Sequence, residues 1–204
     1  NIAIFGVGLV GGTLVKQIID NQQRILRRKG LELNVFAIAN SKKIAYAENG
    51  FDADWKATLG IHGKSFAMEE LVRFTEAHHL ENLIVIDNTA SSDFVNNYIP
   101  FVEFGFNIIS SNKIANTHTY DFYESLRSVL KKHKKSYLYE TNVGAGLPLI
   151  DTIRMLHHSG ENITRIKGVF SGTLSYLFNT FSSEEQSFSS VVKVAAEKGF
   201  TEPD

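Results

Sequence analysis

This 204-residue sequence predicts a doubly wound α/β fold on a mostly parallel sheet, and three observations carry the prediction. Short apolar runs alternate with longer amphipathic stretches. The runs are continuously apolar rather than alternating. A glycine-rich loop joins the first run to the first amphipathic stretch. Strand–helix alternation gives the fold class, and continuous apolarity marks strands covered on both faces, as in a parallel sheet.

In chain order, Ile2–Phe5, Asn34–Ala39, Leu83–Ile86, Phe106–Ile109 and Ser136–Tyr139 read as strands. Helical spacing lies between them, at Leu14, Val15, Ile18, Ile19, Ile25 and Leu26, at Leu71, Val72 and Phe74, and at Tyr120, Tyr123, Leu126, Val129 and Leu130. The texture changes near Glu140–Pro148. Leu149–His157 then reads as a helix, Arg165–Phe170 as a strand, and Leu174–Phe181 and Val191–Lys198 as helices. A first domain is therefore expected over residues 1–143, with the start of a second, α+β domain over 144–204. The sequence opens at the edge of its first strand and ends without closing an element, so a fragment truncated at its C-terminus is expected.

Composition narrows the function. Hydrophobic residues make up 43% and charged residues 21%, and the formal charge is −1. That balance suits a soluble globular protein and lacks the basic footprint of a nucleic-acid or anionic-membrane binder. No apolar run approaches the roughly 18 residues of a membrane span. With no cysteine there is no disulfide, thiolate metal ligand or thiol nucleophile, which fits a reducing cytoplasm.

Gly6-Val7-Gly8-Leu9-Val10-Gly11 fits G-x-G-x-x-G, with a strand before it and an amphipathic helix after. In the dinucleotide-binding (Rossmann) arrangement the first glycine permits the turn and the second lets the backbone approach a pyrophosphate. The third allows close helix–strand packing, while the helix N-terminus offers N–H donors. A tight turn needing glycine only for packing is the plainer alternative. Gly6, Gly8, Leu9, Val10 and Gly11 are the candidate pyrophosphate contacts. The second strand ends Ala39-Asn40-Ser41-Lys42-Lys43, without the acid that holds a ribose 2′-hydroxyl in NAD-preferring proteins. Asn40, Ser41 and Lys42 suit a 2′-phosphate instead, so NADP, or relaxed specificity that includes NAD, is expected. The lysines also read as solvated surface.

Other motifs carry less. Gly63-Lys64-Ser65 has a P-loop ending, but Thr58 stands where its first glycine belongs. His78-His79 and His157-His158 are neighbours that point roughly 100° apart on a helix. The run from Lys131 to Lys135 suits a helix C-terminus.

Three polar loops follow strands, where a doubly wound fold places its active site. They are Asp87-Asn88-Thr89-Ala90-Ser91-Ser92, Ser110-Ser111-Asn112-Lys113-Ile114-Ala115-Asn116-Thr117, and Glu140-Thr141-Asn142-Val143-Gly144-Ala145-Gly146-Leu147-Pro148. A carbinol–carbonyl hydride transfer needs a group that takes up and returns a proton, and Lys113 suits that role. By position alone it reads equally as a surface lysine.

Taken together, GVGLVG, DNTASS, SSNKIANT, ETNVGAGLP, FSGTLSY and GFTEPD resemble the homoserine dehydrogenase family over nearly the whole chain. With its long first helix, the chain looks most like the dehydrogenase half of bifunctional aspartokinase–homoserine dehydrogenases. The resemblance implies an NAD(P)-dependent oxidoreductase interconverting homoserine and aspartate semialdehyde in threonine and methionine biosynthesis. It implies a homodimer or higher homo-oligomer, made through a second domain for substrate binding and dimerisation. Residue by residue, Lys113 matches the catalytic lysine, and Thr89 and Ser91 lie in a loop on the nicotinamide side. Glu140 with the backbone of Val143, Ala145 and Leu147 matches a site for a monovalent cation such as Na+. Gly172, Thr173 and Glu202 match substrate-holding positions. Glu140 capping the glycine-rich turn is the plainer alternative. The family continues past TEPD to a second functional lysine, which lies beyond Asp204. Two competitors differ in kind. The phosphorylating aspartate-semialdehyde dehydrogenase needs a cysteine thiol that is absent here. A non-catalytic NADP(H)-sensing or regulatory module would use the same loops only as ligand clamps.

Overall fold

The computed structural model describes residues 1–183 and 185–201, in two compact units that meet in sequence at Tyr139 and Glu140. The first begins with β1 (Ile2–Phe5), followed by α1 (Leu9–Lys29), β2 (Val35–Ala39) and β3 (Ile44–Tyr46). Every residue of β1 and β2 is buried, as expected of central strands covered on both faces. Ala3 and Phe5 join one core and Ile2 and Ile4 the other, the period-two alternation of a strand. α1 buries Gly11, Val15 and Ile18 on one stripe. It ends at Gly30, whose left-handed conformation (φ 64°) lets its N–H reach Leu26 O. Arg27, Arg28 and Lys29 fill the last turn, against the negative end of the dipole.

Next come α2 (Trp55–His62), α3 (Met68–Ala77), β4 (Ile84–Asp87), α4 (Ser92–Val95) and α5 (Tyr98–Glu103). β5 (Asn107–Ser110), α6 (Ile114–Thr117), α7 (Tyr120–His133) and β6 (Tyr137–Leu138) complete the unit. The sheet order is β3-β2-β1-β4-β5-β6, parallel throughout except for β3, which pairs antiparallel with β2. The order reverses between β1 and β4, so the carboxyl ends of those strands open a crevice of the kind that binds ligands in doubly wound folds.

All five strands expected in the first unit form within about two residues of their expected bounds. The antiparallel β3 and the short α4 and α5 go beyond the expectation. Gly63-Lys64-Ser65 follows a helix, α2, as its missing first glycine suggests for something other than a P-loop.

The second unit holds a 3₁₀ turn (Glu140–Asn142), α8 (Leu149–His158), α9 (Gly172–Ser183) and α10 (Phe188–Glu197). Arg165–Phe170, expected as a strand, is irregular. A strand exists through its ladder, and the described residues of this unit contain no strand to pair with it. Ile166, Val169 and Phe170 are correspondingly exposed.

Candidate active site

Two of the loop glycines are demanded by the fold. Gly6 has φ 82°, and a Cβ there would lie 2.6 Å from the carbonyl carbon of Asn88 and 2.7 Å from Thr89 N. A Cβ on Gly11 would lie 2.0 Å from Gly6 O. Gly8 is different: a Cβ there would meet no atom within 4 Å. The protein itself makes no use of that space, so it suits a ligand approaching the backbone. Gly8 also caps α1 without any side-chain hydrogen bond, and the first turn has no acid. The first N–H groups of α1 therefore have no side-chain acceptor, while Leu9 and Val10 lie exposed beside them. An uncapped helix start over an open glycine fits a pyrophosphate.

The turn after β2 is built by Asn40. Its Oδ1 accepts the N–H groups of Lys42 and Lys43, each at 2.8 Å, and its own N–H donates to Lys43 O at 2.9 Å. Asn40 thus shapes the turn from within. Lys43 Nζ donates to Gly60 O at 2.9 Å, and Ser41 and Lys42 stand exposed between Asn40 and Lys43, which are exposed too. Gly6 N–H donates to Ala39 O at 2.9 Å and joins this turn to the glycine loop.

The loops after β4 and β5 are joined by a buried polar web that the sequence reading missed. Asp87, fully buried at the end of β4, accepts Thr89 N–H at 2.7 Å on Oδ1. Its Oδ2 accepts the Tyr98 hydroxyl at 2.7 Å and Asn112 Nδ2 at 3.1 Å. The Tyr98 hydroxyl also stands 2.8 Å from Ser110 Oγ, at the end of β5. Asn112 is buried too. Its N–H donates to Ser110 Oγ (2.9 Å), and its Oδ1 accepts Ile114 N–H (3.0 Å). Its Nδ2 reaches Ser91 O at 3.1 Å and Thr89 Oγ1 at 3.4 Å. Asn88 Oδ1 accepts the Ser111 hydroxyl at 3.1 Å, while Asn88 Nδ2 is buried with no hydrogen-bond partner, beneath Gly11. Ser91 Oγ accepts Phe94 N–H and caps α4. Lys113, exposed, stands at the start of α6 directly after Asn112.

The glycine loop, the Asn40–Lys42 turn, Thr89, Ser91 and Lys113 therefore gather along one carboxyl edge of the sheet. The missed residues left a faint trace: an Asp and the first of two Ser close mostly apolar runs. Their partner Tyr98 sits on α5, which no periodicity announced.

Burial pushes the Asp87 carboxyl above its ordinary value of 3.8, against the pull of the hydrogen bonds from Tyr98, Thr89 and Asn112. The folded protein then holds this proton more tightly than the unfolded chain does. The resulting stabilisation is complete below the unfolded value and is lost as pH rises through the folded one. Asp87→Asn removes this titration. The native protein's advantage over the variant in urea midpoint should be largest at acid pH and shrink toward neutrality; a pH-independent difference would contradict the assignment.

In the second unit, Glu140 Oε1 accepts Ile150 N–H (2.9 Å) and Oε2 accepts Asp151 N–H (2.8 Å), so the carboxylate caps α8. Between them the chain turns through two left-handed residues, Gly144 (φ 75°) and Ala145 (φ 51°), and Leu147 N–H donates to Gly144 O at 2.9 Å. Gly172 opens α9, and the Thr173 hydroxyl donates to Phe200 O. Glu202 lies outside the described residues. Among the described residues no three His, Asp or Glu side chains cluster as metal ligands.

Residues 6–140 match the family described as "Homoserine dehydrogenase, NAD binding domain", and residues 148–204 match "Homoserine dehydrogenase". The chain belongs to the homoserine dehydrogenase family. It is 39% identical to the bifunctional aspartokinase/homoserine dehydrogenase 1, chloroplastic, of Arabidopsis thaliana, over 100% of this chain and 22% of that protein. It is 34% identical to the homoserine dehydrogenase of Schizosaccharomyces pombe, over 100% of this chain and 56% of that one. A hyperthermophilic archaeal homoserine dehydrogenase solved in complex with NADPH superimposes with a TM-score of 0.78 at 27% identity. That match covers 100% of this chain and 62% of the archaeal one. The chain thus spans less than two thirds of each of these relatives. Its α/β sheet is the family's nicotinamide-cofactor domain, and no helix among the described residues is long and apolar enough to cross a membrane.

Proposed function

We propose that this chain supplies the cofactor-binding unit and part of the substrate-binding unit of an enzyme that interconverts L-homoserine and L-aspartate 4-semialdehyde with NADP(H). One observation carries the reading. In a chain of this family, an uncapped helix start, an open glycine, Thr89 and the Lys113 loop lie along one edge of the sheet. The backbone of Gly8–Gly11 would hold the pyrophosphate, and Thr89 and Ser91 would lie toward the nicotinamide. The bound nicotinamide supplies the hydride acceptor for homoserine oxidation, and the donor for the reverse reaction. Lys113 takes the proton of the substrate hydroxyl in the forward direction and returns it in the reverse. Gly172, Thr173 and Glu202 hold the amino-acid end of the substrate. The Thr173 hydroxyl must exchange its bond to Phe200 O for the substrate, or leave that contact to its neighbours.

Glu140 with the backbone of Val143, Ala145 and Leu147 is the proposed monovalent-cation site. Each Glu140 oxygen accepts one N–H and keeps a further lone pair. One carboxylate with neutral carbonyls suits an ion of single charge. The same reading takes the protein to be a cytoplasmic homo-oligomer assembled through its second unit.

NADP preference rests on Ser41 and Lys42. Lys42→Ala should raise the KM for NADP about tenfold, the worth of one charge-assisted hydrogen bond, and leave the KM for NAD unchanged. No change in either KM would assign Lys42 to the surface, and an equal rise in both would make it a contact that does not discriminate between the cofactors.

The reading as a whole is tested on the full-length protein by the rise in near-ultraviolet absorbance when homoserine is added with NADP. Turnover with homoserine and none with other hydroxy amino acids is expected. Clear NADP binding without turnover would favour a sensing module instead.

A further inference from the structure

Buried polar groups cost stability unless every member is satisfied, and a satisfied web is worth most where it fixes one arrangement among several. The web around Asp87 lies under two loops that the sheet itself orders only up to their first residues. Beyond Ser111 N–H donating to Asp87 O, the links joining those loops run through side chains: Asn112 to Thr89 and Ser91, and Ser111 to Asn88. Tyr98 sits at the root. Its hydroxyl spans the ends of β4 and β5, from Asp87 Oδ2 to Ser110 Oγ, and Ser110 Oγ in turn receives Asn112 N–H.

We propose that Tyr98, acting through Asp87 and Asn112, is the positioning residue of this site, holding the loops after β4 and β5 in one register so that Thr89, Ser91 and Lys113 are presented together. Tyr98 is itself fully buried, so it acts only through the loops. The proposal rests on the enzymatic reading for its effect on turnover, but not for its effect on the loops. The hydroxyl is the operative group. The ring is held independently, packed edge-on against Tyr137 at 5.6 Å, and stays in place without it.

Tyr98→Phe keeps the ring and deletes the hydroxyl, and two measurements on the full-length protein read the result. The first is amide hydrogen exchange by peptide mass. Exchange over residues 87–92 and 110–117 should rise about tenfold while β1 and β2 stay protected. The second separates binding from turnover. The kcat with homoserine should fall by about one to two orders of magnitude, the cost of displacing a reacting group. The Kd for NADP should change far less than kcat, because the proposed pyrophosphate contacts of Gly8–Gly11 are untouched; it is read from the single tryptophan, Trp55, which packs 3.8 Å from the Cβ position of Gly12 in α1. Asn112→Ala, which cuts the web one residue further on, should loosen the same two segments. Uniformly faster exchange across the unit, or unchanged exchange in both loops, would overturn the proposal. So would loosened loops with full kcat. If the native protein does not turn over homoserine, the enzymatic reading falls while the exchange pattern still decides the role of Tyr98.

Discussion

If the proposed function holds, Lys113→Ala is expected to lower homoserine-dependent turnover by about 10²–10⁴-fold, the span attached to loss of a general acid–base group, and to leave NADP binding largely intact. The structure makes this a clean experiment. Lys113 is exposed at the start of α6, outside both cores, so turnover, NADP binding and unfolding can be read separately on the same variant. Around it, Asn112 N–H is anchored on Ser110 Oγ and Asn116 N–H donates to Lys113 O. The two functional readings separate on this variant. An enzyme loses kcat and keeps its Kd for NADP. A sensing module, with Lys113 as a phosphate or ribose contact, loses affinity and has no turnover to lose.

The second large effect divides the glycine loop. Gly11→Ala puts a methyl 2.0 Å from Gly6 O, a separation that must be relieved by moving α1 or opening the loop. The expected cost is about 3 kcal/mol or more in unfolding free energy, with NADP binding lost as a consequence. Gly8→Ala meets nothing in the protein within 4 Å, and its φ of −71° lies outside the left-handed region that glycine alone favours. Its stability should change by no more than about 1 kcal/mol. Its NADP affinity should nonetheless fall about tenfold or more, because a methyl there holds the pyrophosphate off its N–H donors. Thermal or urea unfolding alongside Trp55 fluorescence reads both quantities on the same samples. Native affinity in Gly8→Ala would mean that the pyrophosphate lies elsewhere.

The parallel strands were legible because a strand covered on both faces must be apolar throughout, a property each short segment carries alone. The glycine loop was legible because strand, spacing and helix all fell within thirty residues. What escaped depends on partners distant in the chain. β3 is three residues long, too short for any period, and exists through its pairing with β2. Arg165–Phe170 has a strand's composition but lacks a ladder among the described residues. Asn40 reads as a ligand contact from its place after β2, and its part in shaping that turn came only with the two backbone N–H groups that its Oδ1 accepts. Glu140 shows both sides of this limit. Its match to a cation site came from a motif, and its role as a cap of α8 came only with the positions of Ile150 and Asp151.

β3 has one more effect, on how copies of the protein meet in a crowded solution. Without it, β2 would present its unpaired N–H and C=O groups as a template for a strand from another molecule. β3 occupies that position with only three residues. The next layer outward is a lone bridge, in which Ile44 and Lys64 exchange both backbone hydrogen bonds at 2.7 and 2.9 Å. Lys64 then sets a charged side chain, paired with Glu70, where a further strand would have to dock. On this side the sheet stops growing by running out of backbone and meeting a charge, which keeps that edge of the folded unit from seeding aggregation.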